Sequence, residues 1–199
     1  MHKVFISYHH ANDQSYKDAL VKFNLENQIF DDQSVDTGEI DDDLDDETIR
    51  QKIRDEYLKD TSVTIVLVGT ETRDRKHVDW EIHSSMYDGK VNKKSGILVI
   101  TLPTIGCGYF QAAHEGEKET VYPATTQWTT ITERTEYEKR YPYLPDRIID
   151  NLLAPGVKIS VTNWDKLNAK MLAFLINAAY DDRRSCEYDL SREMRRANS

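Results

Sequence analysis

Two unbroken runs of apolar and β-branched residues constrain this chain more than any other feature. They are Val63-Thr64-Ile65-Val66-Leu67-Val68 and Gly96-Ile97-Leu98-Val99-Ile100-Thr101-Leu102. A strand with one wet face alternates polar and apolar residues. These runs do not alternate, so they read as strands covered on both faces, as in a parallel sheet between two helical layers. Val4-Phe5-Ile6-Ser7-Tyr8 and Val157-Lys158-Ile159-Ser160-Val161 read as two further strands, and Gln28-Ile29-Phe30 as a weaker fifth.

Between the strands the apolar spacing turns helical. Tyr16, Leu20 and Phe23 predict a helix over about 13–25, and Ile49, Ile53 and Tyr57 one over about 45–59. In the latter, Asp45, Asp46 and Glu47 fall in the first turn, where the helix dipole favours acids. Val78, Ile82 and Met86 predict a helix over about 76–88. A last helix is expected after a Thr162-Asn163 cap, burying Trp164, Leu167, Met171 and Phe174 or Leu175 and ending near 180. The order β-α-β-α-β-α-β-insertion-β-α gives an α/β fold: a flavodoxin-like, open, five-stranded parallel sheet with helices on both faces. A single domain over 1–199 is expected, with a core at 1–102, an insertion at 103–155, and a last strand, helix and tail at 156–199.

The insertion holds all five prolines, together with Tyr109, Tyr122, Tyr137, Tyr141, Tyr143, Phe110 and Trp128. It is far longer than an ordinary loop. Its aromatic content argues for an ordered segment that has a small helix near 134–141 and shapes a pocket or an interface. The Arg-rich tail after the last helix reads as an exposed helix or a frayed end.

Charge narrows the function. Residues 31–47 carry ten acids and no base; removing those ten from the 35 acids leaves 25 against 26 bases, so the net −9 is one local feature. Without a basic stripe, a duplex nucleic-acid binder is disfavoured. No apolar run approaches the about 18 residues of a membrane span, and Met1–His10 has no signal-peptide core. Cys107 and Cys186 form neither a CxxC pair nor a disulfide framework. A cytoplasmic protein that avoids nucleic acid and membrane is expected.

Several familiar sites are missing. The sequence has no GxxxxGK[ST] loop, no GxGxxG after the first strand and no alternating-acid calcium loop. His9 and His10 are adjacent and His77 and His83 are six apart, neither a spacing that puts two ligands on one face. In open sheets of this kind, ligands sit beyond the carboxyl ends of the strands. That edge collects Ser7 to His10, Asp31 onward, Gly69 to Arg75 and Thr101 onward. In the 76–88 helix, Glu81 lies about 100° from the centre of the Val78/Ile82/Met86 stripe, at the border of core and solvent. Trp80 falls almost opposite the stripe, where it needs a cover from the insertion or another subunit.

Val4-Phe5-Ile6-Ser7-Tyr8, then Thr61 to Gly69, Thr70 to Arg75 and Val78-Asp79-Trp80-Glu81-Ile82, together resemble the opening strand, third strand and glutamate-bearing helix of TIR domains. The chain is similar to the TIR-like family of bacterial Thoeris anti-phage defence over roughly residues 3–102. His77 stands where TIR enzymes often place a tryptophan. The resemblance implies cleavage of NAD+, taken as substrate with no resident cofactor or metal. It casts Glu81 as the catalytic carboxylate, with Ser7, Tyr8, His9, Asp36 and His77 on the substrate. It further implies self-association for activity and a diffusible ADP-ribose-type signal, of the cyclic kind or a related one, read by a separate effector protein. Two other readings stay open: a non-catalytic adaptor contacting partners through Trp80, the insertion tyrosines and the acidic loop, and a flavodoxin-like module for another nucleotide.

Overall fold

The computed structural model describes residues 1–34, 44–90 and 92–198. Most of the acidic block, with Asp36, lies outside the described residues. Five strands, β1 (Lys3–Ser7), β2 (Asp31–Asp32), β3 (Val63–Val68), β4 (Gly96–Thr101) and β5 (Ser160–Asn163), form one all-parallel sheet in the order β2-β1-β3-β4-β5. Ser7 stands beside Val66, and Val68 beside Thr101. β3 and β4 are buried at every residue, as their unbroken apolar runs demand. The chain leaves β1 for β2 on one side and then crosses to β3 on the other. The carboxyl ends of β1 and β3 therefore flank the switch point where such sheets hold ligands.

Seven α-helices are described: α1 (His10–Asn27), α2 (Asp46–Lys52), α3 (Lys76–Met86), α4 (Glu117–Val121), α5 (Arg134–Arg140), α6 (Asp146–Leu153) and α7 (Ala169–Asp182). Val4, Ile6 and Tyr8 join Leu20, Leu172, Leu175 and Ile176 on the face covered by α1 and α7. Val66, Val68, Ile97 and Val99 join Val78, Ile82, Met86 and Ile148 on the face covered by α3 and α6.

Local chemistry moves several boundaries. α1 ends where Gln28 turns left-handed, and the buried Asn24 side chain closes the exit, accepting from Ile29 N at 3.0 Å and Phe30 N at 2.9 Å. The weak strand falls just after Phe30, at Asp31–Asp32. Asp45 caps α2 by accepting from Thr48 N at 3.0 Å. The expected 45–59 helix is α only to Lys52 and continues as a π turn over Ile53–Tyr57. Arg54 in that turn is buried, with Nη1 donating to Ser84 O at 3.2 Å.

The expected Thr162-Asn163 cap is corrected. Both residues belong to β5, and the Asn163 amide donates to Thr101 Oγ1 at 2.9 Å, Cys107 O at 2.8 Å and Tyr109 O at 3.1 Å. The helix begins later, at α7, capped by Asn168 accepting from Met171 N at 3.0 Å.

The stretch after β4 is ordered by its aromatic residues. Phe110 stacks on Tyr122 at 4.1 Å with Trp128 edge-on to both, and Gln111 pairs antiparallel with Val161. The small helix expected near 134–141 is α5. The tail after α7 overturns its expectation: it is neither helical nor frayed. It runs as an irregular strap with Cys186 and Met194 buried, and Lys94 Nζ donates to Cys186 O at 2.5 Å.

α7 rides on β4 at Gly96, where an added Cβ would stand 2.1 Å from the Ala179 carbonyl oxygen and 2.5 Å from its carbon. Backbone cannot rotate away as a side chain can. Gly96→Ala is therefore expected to destabilise the fold by about 2–3 kcal/mol, read as a lower urea midpoint at unchanged slope. A midpoint equal to wild type would show that α7 can lift off the sheet freely.

Candidate active site

α3 follows β3, so its first turns stand near the carboxyl edge of the sheet. Eight of its eleven residues are buried, among them the polar Asp79, Glu81, Ser84 and Ser85. Val78, Ile82 and Met86 face the sheet as the periodicity predicts. Trp80, on the far side, is completely covered, but not by the insertion or by another subunit. It packs with Phe5, Ile49, Ile53, Leu58 and Met194, and its indole N–H donates to Arg195 O at 2.7 Å. An adaptor contact through Trp80 is thereby removed, because the chain itself occupies that face.

Glu81 turns toward the end of β1, where Ser7 Oγ donates to its Oε2 at 2.6 Å. Both residues are buried, Glu81 to 2% exposure. Burial raises the Glu81 carboxyl to a pKa of about 8, and the Ser7 hydroxyl only partly offsets this by favouring the ionised form. Among the described residues no counter-ion contributes. At neutral pH this carboxyl is mostly protonated, a state rare for a surface acid and frequent in functional sites.

The other anticipated residues scatter around this pair. Tyr8 points to the opposite face of the sheet, in the core beneath α1, with its hydroxyl donating to Gln14 Oε1 at 2.6 Å and its ring stacked on His10 at 4.4 Å. His9 leaves the strand end with Nδ1 3.9 Å from Glu71 Oε2. Burial, then the nearby Arg75 charge, hold its pKa below the ordinary histidine value. It is therefore neutral near pH 7 and the Glu71 approach is not an ion pair. His77 sits one helical turn before Glu81, edge-on to Trp80 at 5.0 Å. Asp36 lies outside the described residues.

Asp13 is a feature that sequence reasoning missed. It is buried in the first turn of α1, with its carboxylate against Gly69 at the end of β3, where any Cβ would come within 2.4 Å of it. Burial raises its pKa, offset in part by the Thr72 hydroxyl. Thr72 Oγ1 also accepts from Gly69 N at 2.8 Å. Two buried carboxyls thus lie at the switch point. The only sequence signal for Asp13 is an acid in a helix's first turn, which ordinarily means dipole chemistry.

The insertion encloses a separate cavity of about 450 Å³, walled by Tyr109, Phe110, Trp128, Tyr137 and Tyr141 with Arg140 beside them. Neither Ser7 nor Glu81 lines it. No group of three or more potential metal ligands occurs among the described residues. No described helix is long and apolar enough to cross a membrane.

The burial of Glu81 has a thermodynamic consequence. The native carboxyl keeps its proton to about pH 8, whereas an ordinary glutamate releases it near 4.5. The folded state therefore binds more protons in that window, and stability falls as pH rises through it. Glu81→Gln removes this titration while still accepting the Ser7 hydrogen bond. Its melting temperature should match wild type near pH 4.5 and exceed it by at least about 3 °C at pH 8. A constant gap across that range would mean that Glu81 is ionised in the native protein throughout.

The sequence was compared with known proteins. A model of the family described as Thoeris protein ThsB, TIR-like domain, matches residues 5–105, which run from β1 to just past β4 and include Ser7, Asp13 and Glu81. No curated protein and no solved structure matches the chain.

Proposed function

The chain belongs to the Thoeris ThsB TIR-like family of anti-phage defence, and from that premise we propose that it cleaves NAD+ at the nicotinamide–ribose bond with Glu81 as the catalytic carboxylate. The observation that carries this reading is the dry Ser7–Glu81 pair at the switch point of the sheet.

The chemistry suits one carboxyl rather than two. Nicotinamide is bound to the ribose as a cation and leaves neutral, so its departure needs no general acid, unlike ordinary glycoside cleavage. The C1′–N bond breaks with its electron pair going to nicotinamide, leaving positive charge on the sugar. A carboxylate beside that sugar stabilises the charge. Glu81 meets this need only when ionised. A cationic pyridinium a few ångströms away lowers a carboxyl pKa by about 1 to 3 pH units, enough to bring a value of about 8 to neutrality or below. Substrate entry thus sheds the proton to solvent and charges the carboxylate where it is used. The Ser7 hydroxyl, already donating to Oε2, favours that charged form.

Water capturing the sugar cation gives ADP-ribose and a proton. Capture by a nucleophile on the adenosine half gives a cyclic isomer and a proton, and a site that excludes water favours this route. Thoeris membership implies a separate effector, and the nucleotide product is the proposed signal to it. As the family resemblance implies, we assign substrate contacts to His9 and His77, a gating role to Asp36, and activity to self-associated protein.

Mass spectrometry of NAD+ incubated with concentrated protein, and of extracts from phage-infected cells, tests this. Wild type should release nicotinamide, and Glu81→Gln should lose at least about 100-fold while remaining folded. Ser7→Ala removes a group that favours ionisation. Its pH–rate profile should therefore move to higher pH, with turnover at pH 7 falling about tenfold. Full activity in Glu81→Gln would refute the assignment.

A further inference from the structure

We infer that Arg192–Arg195 is a positioning strap for Glu81: by gripping Asp79 and Trp80, the two residues before it, the strap keeps the carboxyl docked on Ser7. The inference deepens the catalytic reading of Glu81 and rests on it for its functional meaning.

The grip is two-sided. Arg195 N–H donates to Asp79 Oδ2 at 2.9 Å, and Arg195 C=O accepts from the Trp80 indole at 2.7 Å, so a single strap residue is held by consecutive positions of α3. Asp79 is held in turn by Arg147 of α6, through Nε at 2.9 Å and Nη2 at 3.0 Å. Arg147 is fully buried, and two of its other donors go to the strap: Nη1 to Arg192 O at 2.9 Å and Nη2 to Glu193 O at 3.2 Å. Met194 plugs the apolar cluster around Trp80. Further along, Asn198 Oδ1 accepts from Lys76 N, an amide of α3's first turn, at 3.0 Å.

Helix geometry turns this grip into control of Glu81. Successive residues point about 100° apart, so fixing Asp79 and Trp80 fixes the rotation of α3 about its axis. A side-chain end about 6 Å from that axis moves about 2 Å for a 20° turn. That would break a contact now at 2.6 Å. The core stripe of Val78, Ile82 and Met86 is independent of the strap, so α3 stays packed on the sheet when the strap lets go.

Met194→Asp expels the strap's plug while leaving every residue of α3 unchanged, and Met194→Leu keeps an apolar plug as the conservative control. The readout is the titration midpoint of Glu81, followed by carboxyl carbon NMR of the full chain with Glu81→Gln identifying the signal. It needs no turnover. Release should let water reach the carboxyl and lower the midpoint by at least one pH unit in Met194→Asp, with Met194→Leu like wild type. If Met194→Asp does not fold, Trp80→Phe, which deletes the indole donor to Arg195 O together with part of the ring, should move the midpoint in the same direction by a smaller step. A folded Met194→Asp, or failing that Trp80→Phe, with the wild-type midpoint overturns the strap. NAD+ turnover measured in parallel separates the two ideas. A shifted midpoint in a protein that never cleaves NAD+ sinks the reaction and leaves the strap standing; an unshifted midpoint in an active enzyme does the reverse.

Discussion

A helix with four buried polar residues needs partners for their polar groups, and much of the architecture around α3 follows from that requirement. Unsatisfied buried donors and acceptors cost on the order of 1–3 kcal/mol each, and an unpaired buried charge more. The partners come from distant parts of the chain. Asp79 takes Arg147 from α6 and the Arg195 amide; Ser85 takes Thr64 from β3 at 2.8 Å; the Ser84 carbonyl takes Arg54 from the π turn. The helix therefore behaves less as a surface element than as a pin, with the sheet, α2, α6 and the tail closing around it.

Glu81 is the exception in that set. The other buried acid of α3, Asp79, meets the Arg147 guanidinium, whereas Glu81 meets one hydroxyl. The protein tolerates the uncompensated carboxyl by keeping it protonated, which lowers its desolvation cost and leaves it able to gain charge when a cation arrives. Asp13, buried against Gly69 with its pKa raised by burial, is a second carboxyl shielded from water at the neighbouring strand end.

Much of this was legible in the residues. The unbroken runs at 63–68 and 96–102 announced the parallel sheet, and the 3.6 period of Val78, Ile82 and Met86 oriented α3, but that period put Glu81 at the border of core and solvent, whereas its carboxyl is buried against Ser7. Other features were hidden for physical reasons. The stretch 192–195 holds Asp79, Trp80 and Arg147 through its backbone: the carbonyls of Arg192, Glu193 and Arg195 and the Arg195 amide. Backbone groups leave no trace in residue types, so an Arg-rich, aperiodic stretch looked frayed. Periodicity told where Trp80 points relative to its own stripe and nothing about what waits there. Asn163 resembles a helix cap because a side-chain amide serves equally well to tie down a loop, and only the neighbours decide which.

The borders of the sheet carry a consequence for how copies of this chain can meet. On one side the sheet ends in β2, two residues long and both acidic. On the other, Gln111 already takes the Val161 amide and carbonyl, at 3.0 and 2.8 Å. Among the described residues the open edge at β2 is only two residues long and β5 is already bridged at Val161, so a cross-chain ribbon finds little to build on. Contacts between copies through the described faces then fall to helix faces and loops, where geometry is set by shape and charge rather than by main-chain pairing.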